Sequence, residues 1–126
     1  MIRDCKKSYK KLQLFDYERP AAIQLYGHQI DSMVEAAKMA EEANPDFIDL
    51  NFGCPVPKVT RRGGGAALPY KRRLFSAIVE SAVKAASKYG IPVTVKMRVG
   101  IDSDHQTFLE SAKSAADIGA TWVALH

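Results

Sequence analysis

In this 126-residue chain, side chains capable of chemistry recur where short apolar runs end. Gln24 stands in QLYG, Asn51 and Cys54 in the run Asp49-Leu50-Asn51-Phe52-Gly53-Cys54-Pro55, Lys96 and Arg98 in VKMR, and His126 in ALH. A cysteine held between glycine and proline lies on a turn with a restricted path, which favours presenting it to a ligand. Its thiol could protonate a carbon or act as a nucleophile, and nothing local chooses between them. A small buried hydrophobe is the alternative for any free cysteine.

Lys96 and Arg98 share strand parity, so they point to one side and Met97 to the other. Two inward cations require an anionic partner, such as a phosphate, an RNA backbone or a reduced flavin, unless they reach water beyond the last core layer. The glycine run in RRGGGAALPY lacks the Lys-Ser/Thr ending of a P-loop and the third glycine of a dinucleotide fingerprint, which excludes both. It could serve as a flexible turn carrying Lys58, Arg61 and Arg62 toward a polyanion, with a solvated charge run as the alternative. His28 and His105 are solitary and expected at the surface, so no metal site is expected. Cys5 and Cys54 form neither a CxxC pair nor a disulfide framework, and Cys5 has no strand end beside it.

Positioning these side chains requires strands. Four short β-rich runs, 21–25, 47–50, 93–97 and 122–125, are mostly apolar on both faces, as parallel strands are. Three helical patterns separate them. The first opens at a capping box, Ser32 with Glu35, aligns Met33, Ala36, Ala37, Ala40 and Ala43, and stops at Asn44-Pro45. The second aligns Phe75, Ile78, Val79, Ala82, Val83 and Ala86 and ends toward Gly90. The third opens at Ser103 with Gln106, buries Phe108, Leu109, Ala112, Ala115 and Ala116, and ends at Gly119.

Alternation of strand and helix implies an α/β fold with a parallel sheet: about four strands with three intervening helices, half of a (β/α)8 TIM barrel, whose active site gathers at the C-terminal strand ends. The strand starts are separated by 26, 46 and 29 residues. The excess in the middle interval lies between Asn51 and about Arg73 and carries six basic residues, Lys58, Arg61, Arg62, Lys71, Arg72 and Arg73. A long connection of this kind inside a compact domain is usually functional. The basic stretch from Lys6 to Lys11 resembles the tail of a helix.

A hydrophobic fraction of 47% and a charged fraction of 25% exclude a disordered chain. No apolar run reaches the roughly 18 residues of a membrane span, and MIRDCKKSYKK lacks the apolar core of a secretory signal, so a cytoplasmic location is expected. Net charge +4 and pI near 9.1 are compatible with a polyanionic partner.

The stretch Asp49 to Pro55, continued by Val56-Pro57-Lys58-Val59 and GGGAAL, resembles the signature of bacterial-type tRNA-dihydrouridine synthases. QLYG, VKMR and ALH fall in the order and approximate spacing of that family, so the resemblance covers essentially the whole chain. It implies that Gln24, Asn51, Lys96 and His126 bind FMN, with Asn51 reaching the flavin or the target base, and that Arg98 faces the substrate pocket. Cys54 would be the general acid. Lys58, Arg61 and Arg62, with the other arginines after Cys54 and the lysines of the opening segment, are candidates for the tRNA-binding surface. The implied reaction is a flavin cycle in which NADPH, or more broadly NAD(P)H, reduces FMN, and a hydride then adds to carbon-6 of a uracil while Cys54 protonates carbon-5. The product is 5,6-dihydrouridine.

Against that family pattern, an initial strand with an APM-like flavin-binding segment, the later strands that hold the FMN phosphate, and a C-terminal helical RNA-binding domain are absent. Residues 1–126 are therefore expected to form an incomplete FMN-binding barrel domain, inactive alone. Two rivals remain: another FMN-dependent barrel reductase acting on free pyrimidines, and a non-catalytic RNA-binding remnant. The sequence does not fix the oligomeric state.

Overall fold

The computed structural model describes residues 10–126. In chain order its main elements are β1 (Ala22–Leu25), α1 (Ile30–Glu42), β2 (Phe47–Phe52), α2 (Pro57–Thr60), a 3-10 segment (Gly65–Tyr70), α3 (Arg72–Ser87), β3 (Val93–Met97), β4 (Gly100–Asp102), β5 (His105–Gln106), α4 (Phe108–Ile118) and β6 (Trp122–Leu125). The order β1-β2-β3-β6 makes one four-stranded sheet, all neighbours parallel, and β4 and β5 make a separate antiparallel hairpin. This is the expected α/β architecture of a partial barrel, and the sheet does not close among the described residues. Cys5 and Lys6 to Tyr9 lie outside those residues, while Lys10 and Lys11 are helical, as expected.

Strand periodicity divides the sheet into two chemically different faces. Ile23, Leu25, Ile48, Leu50, Phe52, Val93, Val95 and Met97 are buried in one core with Met33, Ala37 and Ala40 of α1 and Phe75, Ile78, Val79, Ala82 and Ala86 of α3. Phe52 and Phe75 meet edge to face with ring centroids 4.8 Å apart, which adds a directional interaction to the area both rings bury. The opposite face carries Gln24, Asp49, Asn51 and Lys96, with Phe47 edge-on to Trp122 at its lower end. Strands β1, β2 and β3 therefore carry polar residues on one face, which corrects the expectation that the strands are mostly apolar on both, while β6 is apolar throughout, as expected. Polar residues occupy positions that would face the lumen of a closed barrel.

Helix ends follow backbone rules at the C-terminal side. Asn44 (φ 49°) follows α1, Gly90 (φ 68°) follows α3 and Gly119 (φ 120°) closes α4, each in the positive-φ conformation that releases a helix. Both expected capping boxes are corrected. Helix α1 starts at Ile30 with Gln29 as N-cap, and Ser32 instead lies within the first turn with its hydroxyl 3.4 Å from Gln29 Oε1. Helix α4 starts at Phe108 after Thr107, because Ser103 sits in the β4–β5 turn. There Asp102 Oδ1 accepts from the Asp104 N–H at 3.0 Å and lies 2.6 Å from His105 Nδ1, a local side-chain bond that competes successfully with helix extension. Contrary to expectation, Leu109 is 71% exposed and Ala116 is exposed, seven residues apart on one face of α4, while Ser111 and Ala115 are its buried residues. His105 is exposed as expected, but His28 is half-buried.

One buried group is a liability to stability. Glu41, near the end of α1, is 9% exposed, and among the described residues its Oε1 has no hydrogen-bond partner. Burial raises its pKa above the ordinary value of 4.5, only partly opposed by Lys88 and Lys38. A raised folded-state pKa contributes stability that is present below the unfolded value and lost as pH rises through the folded value. Glu41→Gln should therefore match the parent near pH 4 and exceed it at pH 7 by about 1 kcal/mol, the scale of an uncompensated buried polar group. Urea titrations of the full-length protein at the two pH values provide the check, and equal gaps at both would refute the assignment.

Candidate active site at the strand ends

Backbone register brings the sequence-predicted residues to one end of the sheet. Gln24 pairs with Asp49, Asn51 with Lys96, and Lys96 with Ala124, so residues from four strands share one face. At the outlet of β2 the chain turns sharply. Asn51 Oδ1 accepts from both the Gly53 N–H (3.0 Å) and the Cys54 N–H (3.2 Å), an Asx-type turn that fixes the first part of the NFGCP loop. From the other side, the Cys54 carbonyl accepts from the Ala66 N–H at 2.9 Å. Cys54 is half-buried, not sealed inside the core.

The glycine run that the sequence suggests as a flexible turn is instead packed. Gly63, Gly64 and Gly65 are all buried, and the Gly63 and Gly64 N–H groups donate to the carbonyls of Thr60 (2.8 Å) and Val59 (3.2 Å). Gly65 has φ +54° and lies so close to Cys54 that a Cβ added there would be 2.3 Å from the Cys54 carbonyl oxygen. The 3-10 segment thus serves as a buttress for the cysteine loop.

Arg98 closes the arrangement from β3. Its Nε donates to the Gly53 carbonyl at 2.8 Å, which ties the end of β3 to the residue before Cys54. Arg98 and His126 line the same cleft, about 260 Å³ in volume, whose other wall is the β4–β5 hairpin with Asp102 and Gln106. The His126 backbone N–H donates to the Met97 carbonyl at 3.0 Å, continuing the β3–β6 ladder to this rim. Lys96 is half-buried, and among the described residues no hydrogen bond or ion pair engages its ammonium. A larger groove, about 760 Å³, lies between α3 and α4, but none of the strand-end residues lines it.

These features make a rim with a thiol, an uncommitted cation and a guanidinium beside an open polar sheet face. A family model described as dihydrouridine synthase matches residues 1–126. The chain belongs to the dihydrouridine synthase family. Its relatives include a probable tRNA-dihydrouridine synthase of Mycobacterium leprae, 57% identical over 110 residues that cover 86% of this chain and 29% of that protein. Probable tRNA-dihydrouridine synthases of Treponema pallidum (39% identical over 129 residues) and Rickettsia prowazekii (41% over 127) are matched along 100% of this chain and 38% of their own lengths. The chain thus spans between three-tenths and two-fifths of the length of these curated relatives.

In this member of the dihydrouridine synthase family, the expected site residues fall into two groups. Gln24, Asn51, Cys54, Lys96, Arg98 and His126 gather at one end of the sheet, Asn51 being engaged with the cysteine loop. Lys58, Arg61 and Arg62 do not join them. Lys58 belongs to α2, Arg61 caps it and Arg62 follows, all three exposed. Sequence reasoning missed Gly65, Asp49 and Thr94. Asp49 accepts from Gln24 Nε2 (2.7 Å) and from the Thr94 hydroxyl (2.6 Å), and a signal for it existed: it shares the strand parity of Asn51. No helix among the described residues is long and apolar enough to cross a membrane.

Proposed function

We propose that the full-length protein is an FMN-dependent tRNA-dihydrouridine synthase that uses NAD(P)H and reduces uridines of tRNA to 5,6-dihydrouridine, with Cys54 as general acid. The observation that carries this is the half-buried Cys54 on a loop braced from both sides, at the rim that also bears Lys96 and Arg98. The donor set fits a flavin. Lys96 has no partner among the described residues, and the amide groups of Gln24 and Asn51 each keep one N–H beyond the bonds described, so cationic and neutral donors face the same side. Gln24, Asn51, Lys96 and His126 would hold the ring system and its charge. When bound, FMN supplies the hydride that reaches carbon-6 of the uracil.

The protein's own groups account for the remainder of the reaction. Negative charge builds toward carbon-5 and the adjacent carbonyl as the hydride arrives, so a proton from Cys54 at carbon-5 and nearby cations both stabilise the transition state. Arg98, fixed to Gly53, would face the uracil. A uridine in folded tRNA must be splayed out of its stack to reach this rim, which demands a surface that grips the RNA backbone. Lys58, Arg61 and Arg62 are assigned to that surface. Lys71 and Arg73 add to it at the start of α3, where the first turn holds no acid and the helix dipole disfavours cations, a cost consistent with a polyanionic partner, whereas Arg72 is paired with Glu110 of α4. The same substrate implies a cytoplasmic setting, and residues 1–126 are assigned to one incomplete barrel domain.

Unmodified tRNA incubated with the full-length enzyme, FMN and NADPH should yield dihydrouridine, whereas free uracil and uridine should not be reduced. Reduction of free pyrimidines alone would overturn the proposal in favour of the other flavin reductase. Replacing Lys58, Arg61 and Arg62 together with Ala should weaken tRNA binding and flatten its dependence on salt. In plots of log affinity against log salt the slope should fall by about 0.7 to 0.9 for each phosphate that is no longer neutralised. An unchanged slope would remove these residues from the RNA surface.

A further inference from the structure

We infer that Asp49, backed by Thr94, is a positioning residue that sets the direction of a hydrogen-bond relay ending at the Cys54 loop. The relay crosses three strands. Thr94 Oγ1 on β3 donates to Asp49 Oδ1 on β2 (2.6 Å), Gln24 Nε2 on β1 donates to Asp49 Oδ2 (2.7 Å), and Asn51 Nδ2 donates to Gln24 Oε1 (3.0 Å). Asn51 Oδ1 then receives the Gly53 and Cys54 N–H groups.

An amide side chain can be turned over at almost no steric cost, so something must choose its orientation. A carboxylate only accepts. Asp49 therefore compels Gln24 to present its NH2 group, which directs Gln24 Oε1 at Asn51. Asn51 must answer with its own NH2, and its oxygen is left to hold the two N–H groups of the turn. Reversing any member would set donor against donor or acceptor against acceptor. Thr94 completes the anchor: it is 1% exposed, and its hydroxyl occupies the second carboxylate oxygen, so Asp49 has little freedom to rotate.

The relay also decides what the polar face offers a ligand. With Asp49 at its head, the uncommitted hydrogens of Gln24 and Asn51 are N–H donors, suited to a ring that presents carbonyl oxygens and an imine nitrogen. The consequence for flavin binding rests on the proposed function. The consequence for the Cys54 loop does not.

Asp49→Asn is nearly isosteric but can present either a donor or an acceptor to Gln24, so it releases the constraint without emptying space. Thr94→Val removes the supporting hydroxyl, and Thr94→Ser retains it. In the full-length protein without flavin, amide hydrogen exchange of the peptide holding Gly53 and Cys54 should become about tenfold faster in Asp49→Asn, the equivalent of one hydrogen bond of about 1.4 kcal/mol. Thr94→Val should give a smaller acceleration, and Thr94→Ser should match the parent. FMN titrated into the flavin-free protein should bind about tenfold more weakly to Asp49→Asn, and kcat for tRNA should fall while KM for tRNA stays unchanged. Parent-like exchange in both Asp49→Asn and Thr94→Val would overturn the relay. If exchange accelerates as stated but the parent reduces no tRNA uridine, the positioning role stands and the proposed function fails.

Discussion

On the proposed function, Cys54→Ala in the full-length protein should lower the rate of dihydrouridine formation by about 10² to 10⁴, the usual contribution of a positioned general acid, and leave tRNA affinity unchanged. The substitution is informative because of how the loop is held. Both bonds that brace residue 54 use its backbone: the N–H to Asn51 Oδ1 at 3.2 Å and the carbonyl to the Ala66 N–H at 2.9 Å. Removing Sγ deletes neither. Loss of rate would therefore report the thiol's chemistry rather than collapse of the turn. Protonation at carbon-5 would then fall to water, which is neither positioned nor as acidic as a thiol. Cys54→Ser keeps a proton donor in the same place with weaker acidity, so its rate should lie between the two. Single-turnover reduction of unmodified tRNA separates this step from binding, and parent-like turnover by Cys54→Ala would remove Cys54 from the acid role.

The sequence disclosed the parts of the molecule that depend on periodicity. Parallel strands were legible because their apolar runs are short and separated by helical patterns, and all four end at the expected residue except β2, which continues to Phe52. Strand parity also placed Lys96 opposite Met97 correctly, since alternation needs no knowledge of neighbours. What stayed hidden was set partly by competing local bonds and partly by interactions distant in sequence. Ser103 and Ser32 both carry the chemistry of an N-cap, but Asp102 captured the first in a hairpin turn and the second lies inside a helix that had already begun. The three glycines read as a tether because only the fold reveals what presses against them. Asp49 was legible as an inward residue, but its role depends on Thr94, 45 positions away.

Gly65 is where that hidden information carries the largest consequence for chemistry. Gly65→Ala should reduce kcat by about 10²-fold, the cost expected when a reacting group moves by the order of an ångström. Two independent effects drive the displacement. At φ +54° an alanine pays roughly 1 to 2 kcal/mol of left-handed strain. Its Cβ would also stand 2.3 Å from the Cys54 carbonyl oxygen and 3.1 Å from the Cys54 Cβ, so the two segments must separate. Separation stretches the bond from the Ala66 N–H to the Cys54 carbonyl and leaves the loop held by Asn51 alone. A general loss of stability would lower activity too, so the deciding comparison is a double-mutant cycle. If Gly65 acts by placing the thiol, Gly65→Ala should have little further effect on the residual rate once Cys54 is already Ala, a large departure from additivity. A second, independent hundredfold loss in the Cys54→Ala background would mean that Gly65 supports the fold at large. A parent-like rate for Gly65→Ala alone would mean that the close approach of the two segments does not govern the cysteine.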